Sequence, residues 1–300
     1  MLTATGERSF GRATMRSKFM FGAGFWGHAV ERHGLCFDTR FVPAREGASS
    51  RYSLQLVLDG TFEILGPNAC RLTGPVALLM SEDQFEGANQ ERALSFRSFG
   101  APFRAVDFRV DREWLGEAPE TLPARIELGA DTWALAQKLA GPEREEQPTA
   151  LAARALLDKL AEDGVLVPGL AAHSVVGERV ARLWAALRPM AERFYSSPTL
   201  QEVSAGSGIS LRQLARDVEE FLGRTKLGGS GWRETTHRFR LKLAIVGLSA
   251  ADVSIAAVAS AAGYGSTVAM ARAFQDAGLP APMTVREALR RASEHVHEQS

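Results

Sequence analysis

Two stretches in the last third of the chain repeat one pattern: Leu200-Gln-Glu-Val-Ser-Ala-Gly-Ser-Gly208-Ile-Ser-Leu-Arg-Gln-Leu214 and Ile255-Ala-Ala-Val-Ala-Ser-Ala-Ala-Gly263-Tyr-Gly-Ser-Thr-Val-Ala-Met270. In each, an apolar residue (Val203, Val258) stands five positions before a glycine that can take the positive φ of a tight turn between helices. Ile209 or Tyr264 follows the glycine, and Ser210, or Ser266 or Thr267, then opens the next helix as an N-cap. Each stretch therefore reads as a helix-turn-helix. A short helical hairpin can imitate one such motif, but two copies in one small region point to a protein that sets two recognition helices into DNA.

Between the motifs, Trp232, Thr236, Phe239, Leu243 and Val246 recur every three or four residues, which predicts a central helix carrying Arg233, Arg238, Arg240 and Lys242 on its opposite face. The whole chain, with 35 basic and 35 acidic residues, gives no electrostatic support to a nucleic-acid partner. Locally the balance shifts. Arg224, Lys226, Arg233, Arg238, Arg240 and Lys242 face the single acid Glu234, a basic stretch suited to phosphate contact.

The first half has a different texture. From about Gly24 to Val110, short alternating runs are separated by turn clusters such as Gly66-Pro67-Asn68, Thr73-Gly74-Pro75 and Gly100-Ala101-Pro102. Leu54, Leu56 and Leu58 alternate with Ser53, Gln55 and Val57, and Asp59-Gly60 then reads as a two-residue hairpin turn before Phe62 and Ile64. This is the pattern of an antiparallel barrel or sandwich. Amphipathic helices follow at Asp131 to Ala140 and Thr149 to Glu162, then a linker from Gly164 to His173. The stripe Leu151, Ala155, Leu156 and Leu160 serves either the core or a subunit contact. From Val175 the pattern is helical to the end, and Pro189 either kinks its helix or starts another.

Two cysteines, Cys36 and Cys70, are too few for a disulfide framework and form no zinc motif. The first residues lack the apolar stretch of a secretory leader, and no segment reaches membrane-spanning length, so a cytoplasmic protein with no membrane partner is expected.

Residues 176 to 290 resemble the DNA-binding domain of AraC/XylS-type transcription regulators. The resemblance rests on Leu200, Gly208, Ser210, Arg212, Leu214 and Arg216, on Arg240-Leu241-Lys242-Leu243-Ala244, and on Ile255, Val258-Ala259, Gly263-Tyr264, Ser266, Arg272, Ala273-Phe274 and Gly278-Leu279-Pro280-Ala281-Pro282. Ser204, Ser207, Val218 and Met270 depart from the family's pattern, and the Gly-rich segment Arg224 to Gly231 suggests a loose joint between the halves. The resemblance implies an α+β chain of two domains. A cupin-like antiparallel barrel at 1–130 would sense a small molecule or mediate dimerisation, and 131–174 would be a helical dimerisation or linker region. An all-α DNA-binding domain would occupy 175–292, with motifs near 200–222 and 255–276.

With Leu214 turned inward, Ser210, Leu211, Arg212, Gln213 and Arg216 are the candidates to face DNA from the first recognition helix. Arg pairs with guanine and Gln with adenine, while Arg216 equally suits phosphate. The second offers Ser266, Thr267, Val268, Arg272 and Gln275, small or apolar contacts apart from the last two, so specificity should rest mainly on the first. Arg238, Arg240 and Lys242 are candidates on the connecting helix. About sixteen residues there would span roughly 24 Å and allow the two recognition helices to enter successive major grooves.

Phe62, Phe85, Phe96 and Phe108 are candidate walls of an effector cavity. Before residue 173 the histidines are His28 and His33 alone, so neither metal nor cofactor is expected. Nor is an enzyme, since no nucleophile-and-base set has a recognisable context. The expected partners are double-stranded DNA, a small-molecule effector, a second copy of the chain and, for an activator, RNA polymerase. The alternative is a degenerate relative acting as a protein-binding or heterodimerising module.

Overall fold

The computed structural model describes residues 1–42, 51–66, 69–82, 84, 94–117, 119–143, 145–173, 176–193, 198–225 and 231–297, with the side chains of 190, 193, 224–225 and 292–297 set aside. Phe85, Pro67-Asn68 and Lys226, all singled out above, lie outside the described residues, as does 226–230 of the Gly-rich joint.

The sheet begins at the second residue rather than near Gly24. Strands β1 (Leu2–Phe10), β2 (Ala13–Gly22) and β3 (Phe25–His33) form successive antiparallel hairpins. Further along come β4 (Phe37–Asp38), β5 (Arg51–Leu65), β6 (Cys70–Thr73), β7 (Val76–Ser81), β8 (Ser95–Asp111) and β9 (Ala124–Ile126). They make one nine-stranded antiparallel sheet in the order β1-β2-β3-β8-β5-β7-β9, with β4 on β8 and β6 on β5.

Two predicted turns are bends instead. Asp59-Gly60 lies inside β5, where the register against β8 shifts, and Gly100-Ala101-Pro102 lies inside β8. Gly60 has φ 88°, and a Cβ there would sit 2.8 Å from the Phe99 carbonyl oxygen; Gly100, at φ 156°, would bring a Cβ within 3.0 Å of the Gly60 Cα. The two glycines let long partner strands bend at the same place, as bulges do where a sheet folds over.

Helices cover two sides. Helices α1 (Ala130–Leu139), α2 (Glu146–Glu162) and α3 (Leu170–His173) pack on one face of the sheet. There Leu54, Leu56, Leu58, Val106, Phe108 and Val110 meet Leu139, Leu156, Leu160 and Leu170 in a single buried cluster. Lys18 reaches the same side and donates to the Leu139 carbonyl at the end of α1 (2.9 Å).

Beyond these, the described residues form helices α4 (Glu178–Arg193), α5 (Leu200–Ser207), α6 (Leu211–Thr225), α7 (Trp232–Leu248), α8 (Ile255–Ala261), α9 (Thr267–Asp276) and α10 (Pro282–His297). Helix α4 runs through Pro189. None of the described helices is long and apolar enough to cross a membrane.

The β1–β2 ribbon supports both halves of this helical region. Leu2, Ala4, Phe19 and Phe21 share a core with Leu183, Trp184, Leu214, Val218 and Phe221 of α4 and α6. At the ribbon's tip, Phe10 is 1% exposed and sits in the core of α7 to α10, against Gly247, where a Cβ would run into its ring. The absence of a side chain at Gly247 is what admits the ring.

Candidate DNA interface and the cavity behind it

In the first motif Thr199 caps α5 in a full capping box, its hydroxyl accepting from the Glu202 N–H (3.2 Å) while the Glu202 carboxylate accepts from the Thr199 N–H (2.6 Å). That backbone bond holds the Glu202 carboxyl below its ordinary value. Gly208, at φ 69°, ends the helix. The departures Ser204 and Ser207 close the turn: Ser204 Oγ donates to the Ile209 carbonyl (2.6 Å), and Ser207 Oγ accepts from the Ile209 N–H (3.3 Å).

Ser210 accepts from the Gln213 N–H (3.3 Å) at the start of α6, which buries Leu214, Val218, Phe221 and Leu222. Leu211, Arg212 and Arg216 are exposed. Gln213 is already engaged, donating to Asp217 (2.5 Å) and accepting from Arg216 (2.8 Å). Asp217 also receives Arg179 of α4, which ties α6 to its neighbour. Burial opposes the Asp217 charge, but the hydrogen bonds from Arg179 and Gln213 outweigh it and hold the carboxyl below its ordinary value.

The second motif uses the same parts. Ser254 caps α8, Gly263 turns at φ 77°, and Ser266 caps α9 by accepting from the Ala269 N–H (3.1 Å). Met270, Ala273 and Phe274 face inward, and Thr267, Val268, Arg272 and Gln275 are exposed. Leu211 (42% exposed) and Val268 (59%) thus put a bare aliphatic side chain in the first turn of α6 and of α9. Tyr264 is packed beneath the Arg240 guanidinium at 4.4 Å.

Arg240 donates to the carbonyls of Ala262 and Gly263, a cation at the C-terminal end of α8. Of the basic residues proposed on α7, it therefore braces the second turn. Arg238 and Lys242 line a cavity on the side of α7 that faces the sheet.

That cavity has a volume of about 200 Å³ and lies between the concave face of the sheet and α7. Its sheet wall is made of alternate residues: Ser17 and Phe19 on β2, Trp26, His28 and Arg32 on β3, Ser53 and Gln55 on β5, Asp107 and Arg109 on β8. The residues between them point to the core beneath α1–α3. Phe62 and Phe96 line the cavity, their rings stacked at 5.0 Å. Phe108 does not. Its position on β8 has the opposite parity to Asp107 and Arg109, and its ring packs on Phe25 at 6.1 Å in the other core.

Polar groups inside the cavity are partly paired. Asp107 accepts from Ser53 Oγ (2.6 Å) and Arg109 Nε (3.1 Å), and Arg109 also donates to Glu82 (2.5 Å) and lies over Trp26. Burial raises the Asp107 pKa. His28 stacks on Phe19 at 4.9 Å, and burial, reinforced by Arg32, Arg109 and Lys242, pushes its pKa down to about 3. The ring is therefore neutral at ordinary pH. His33, by contrast, is exposed and bonds Glu31. Sequence reasoning missed the polar wall because alternating polar residues on a strand read equally well as a solvent face.

No family model and no curated protein matches the chain. Among solved structures, ToxT from Vibrio cholerae matches 89% of this chain and 98% of its own at 10% identity and a TM-score of 0.37. The AraC-like transcriptional activator CuxR matches 69% of this chain and 75% of its own at 11% identity and a TM-score of 0.30. KdgF from Halomonas sp. matches over 33% of the chain and 79% of its own length, at 12% identity and a TM-score of 0.23.

Proposed function

We propose that this chain is a sequence-specific DNA-binding transcription regulator of the AraC type, in which a small molecule held in the sheet's cavity biases how the two recognition helices are presented. The observation that carries this reading is the double role of α7. It joins the two helix-turn-helix motifs, and its Arg238, Phe239, Lys242, Leu243 and Val246 form one wall of the cavity. A ligand that touches α7 differently in two poses would couple effector to DNA, as allostery requires.

In this reading residues 1–130 sense, 131–174 brace or dimerise, and 175–292 bind DNA. Arg212 and Arg216 supply the long polar contacts of the first recognition helix. Arg272 and Gln275 supply those of the second, while Leu211 and Val268 suit thymine methyls. Dimerisation and contact with RNA polymerase belong to the same reading. The test is the salt dependence of binding to random duplex DNA. A regulator loses affinity steeply as salt rises, by about 0.9 log units per log unit of salt for each phosphate neutralised. A protein-binding module would show no slope.

A further inference from the structure

Resting on the reading of the two motifs as DNA-binding, we propose that Arg8, on the first strand of the sheet, is a positioning residue for the second recognition helix, so that this motif is completed from outside residues 175–292. Arg8 Nη2 donates to the carbonyl of Ala261 (2.6 Å), the last residue of α8. The next two carbonyls, of Ala262 and Gly263, take the Arg240 guanidinium. Three successive carbonyls of the turn therefore meet arginines, one from the sheet and one from α7.

The backbone explains why those three need partners. The turn's own amides close the carbonyls before them: Ala262 N–H donates to Val258 (2.9 Å), Gly263 N–H to Ser260 (2.9 Å) and Tyr264 N–H to Ala259 (2.8 Å). Because the chain leaves the helix at Gly263, the carbonyls of 261–263 have no further helical amide to accept from. Cations at that end also complement the helix dipole. Helix α8 has only seven residues, too few to hold itself, so the groups that cap it decide its placement.

The ribbon grips α8 at its other end as well. The Arg12 N–H donates to the Asp252 carboxylate (3.2 Å), two residues before the Ser254 cap. Phe10, on the same face of β1 as Arg8, fills the core beneath. The first motif differs, since its turn is closed by its own Ser204 and Ser207, which bond Ile209. In the second, only Tyr264, Gly265 and Ser266 separate Gly263 from α9, so a shift of the turn carries directly to Arg272.

A double-mutant cycle in the full-length protein tests the proposal, with a duplex that the wild type selects from a random pool as the probe. Arg272→Ala should cost the wild type about tenfold or more in affinity, the loss of one charge-assisted contact. In an Arg8→Ala background, whose α9 no longer presents Arg272, the same change should cost about twofold or less, while Arg212→Ala in the first motif should cost the same in both backgrounds. Arg8→Lys, which keeps one charged donor, should restore part of the Arg272 effect. A protein that is merely less stable would not lose one of these two contributions and keep the other. Arg8→Gln, which fills more of the space, repeats the cycle if Arg8→Ala does not fold.

An Arg272→Ala cost that is the same with and without Arg8, or an Arg212→Ala cost that falls along with it, would overturn the role of Arg8. Failure of the underlying reading has its own signature: neither Arg212→Ala nor Arg272→Ala would then change the duplex affinity of the wild type. Hydrogen exchange in that case decides for Arg8 without DNA. The amides of 263–270 should exchange about tenfold faster in Arg8→Ala while those of 208–214 do not. Unchanged exchange at 263–270 would overturn the positioning.

Discussion

The two helix-turn-helix halves share a frame and differ in what they display. Each has a glycine in the left-handed region, at φ 69° or 77°, and a serine that caps the following helix. Beyond that they diverge. Helix α6 presents Arg212 and Arg216 and is tied to α4 through Asp217, whereas α9 presents Thr267 and Val268, with Arg272 further along. Their supports differ as well: the first half leans on Phe19 and Phe21 near the open end of the β1–β2 ribbon, the second on Phe10 at its tip. Turn and cap geometry is thus separable from recognition chemistry, and one ribbon holds both halves.

The supports provide the largest test. Phe10→Ala and Phe21→Ala should each cost about 3–5 kcal/mol of stability, the usual loss for emptying a buried aromatic site. They should act on different halves. Hydrogen exchange is expected to quicken in α7 to α10 for the first and in α4 and α6 for the second. Uniform loosening by either one would mean that the halves are not separately supported.

Recognition chemistry comes next. Arg212→Ala should weaken specific binding by roughly 1–3 kcal/mol and relax preference at one or two base positions, while Arg272→Ala should weaken specific and random DNA alike. Equal losses on both DNAs for Arg212→Ala would assign that residue to phosphate and erase the contrast between the helices.

The shared frame predicts a shared penalty. Gly208→Val and Gly263→Val should each lower stability by about 1–2 kcal/mol or somewhat more, because both glycines hold left-handed backbone. Gly263→Val should also misplace Arg272 and reduce DNA affinity with the sheet intact. A variant at Gly263 that melts and binds like wild type would remove the second motif.

The smallest expected effect is a control on the far face of the sheet. Burial lowers the Lys18 pKa from 10.5 to about 8. Below pH 8 the native and unfolded states both hold the proton, and the penalty of burying the charge is fully present. Between about 8 and 10.5 the native amine is neutral while the unfolded one is still protonated, so stability rises with pH. The stability of wild type relative to Lys18→Met, measured by denaturant titration at pH 7 and pH 9.5, should therefore improve at the higher pH. It should do so without favouring either recognition helix.

Much of the helical region is legible in the sequence because caps and turns are local. Thr199, Gly208, Ser210, Gly263 and Ser266 act on neighbours within a few positions, so α5, α6, α8 and α9 fall within a residue or a few of where the pattern puts them. The sheet is less legible, since its determinants are remote. Strands β1 and β2 are rich in Thr, Ser, Arg and Lys, and they become buried only because α2, α4 and α7 cover them. Asp59-Gly60 has hairpin chemistry, but the length of β8 opposite it makes it a bulge.

The cavity is hidden for a related reason. Ser17, His28, Arg32, Gln55 and Asp107 occupy alternate positions that read as a wet face, and only the closure of α7 over them makes that face an interior. Arg238 and Lys242 are likewise on the polar side of a helical pattern, and the sequence does not say which body that side meets.

Selection of bound sequences from a random duplex pool with the purified full-length protein tests the central claim most directly. Two recognition helices on one frame predict two conserved segments about 10 base pairs apart, one turn of DNA, with sharper base preference in the segment read by α6. Enrichment of one short segment alone, or of none, would contradict it.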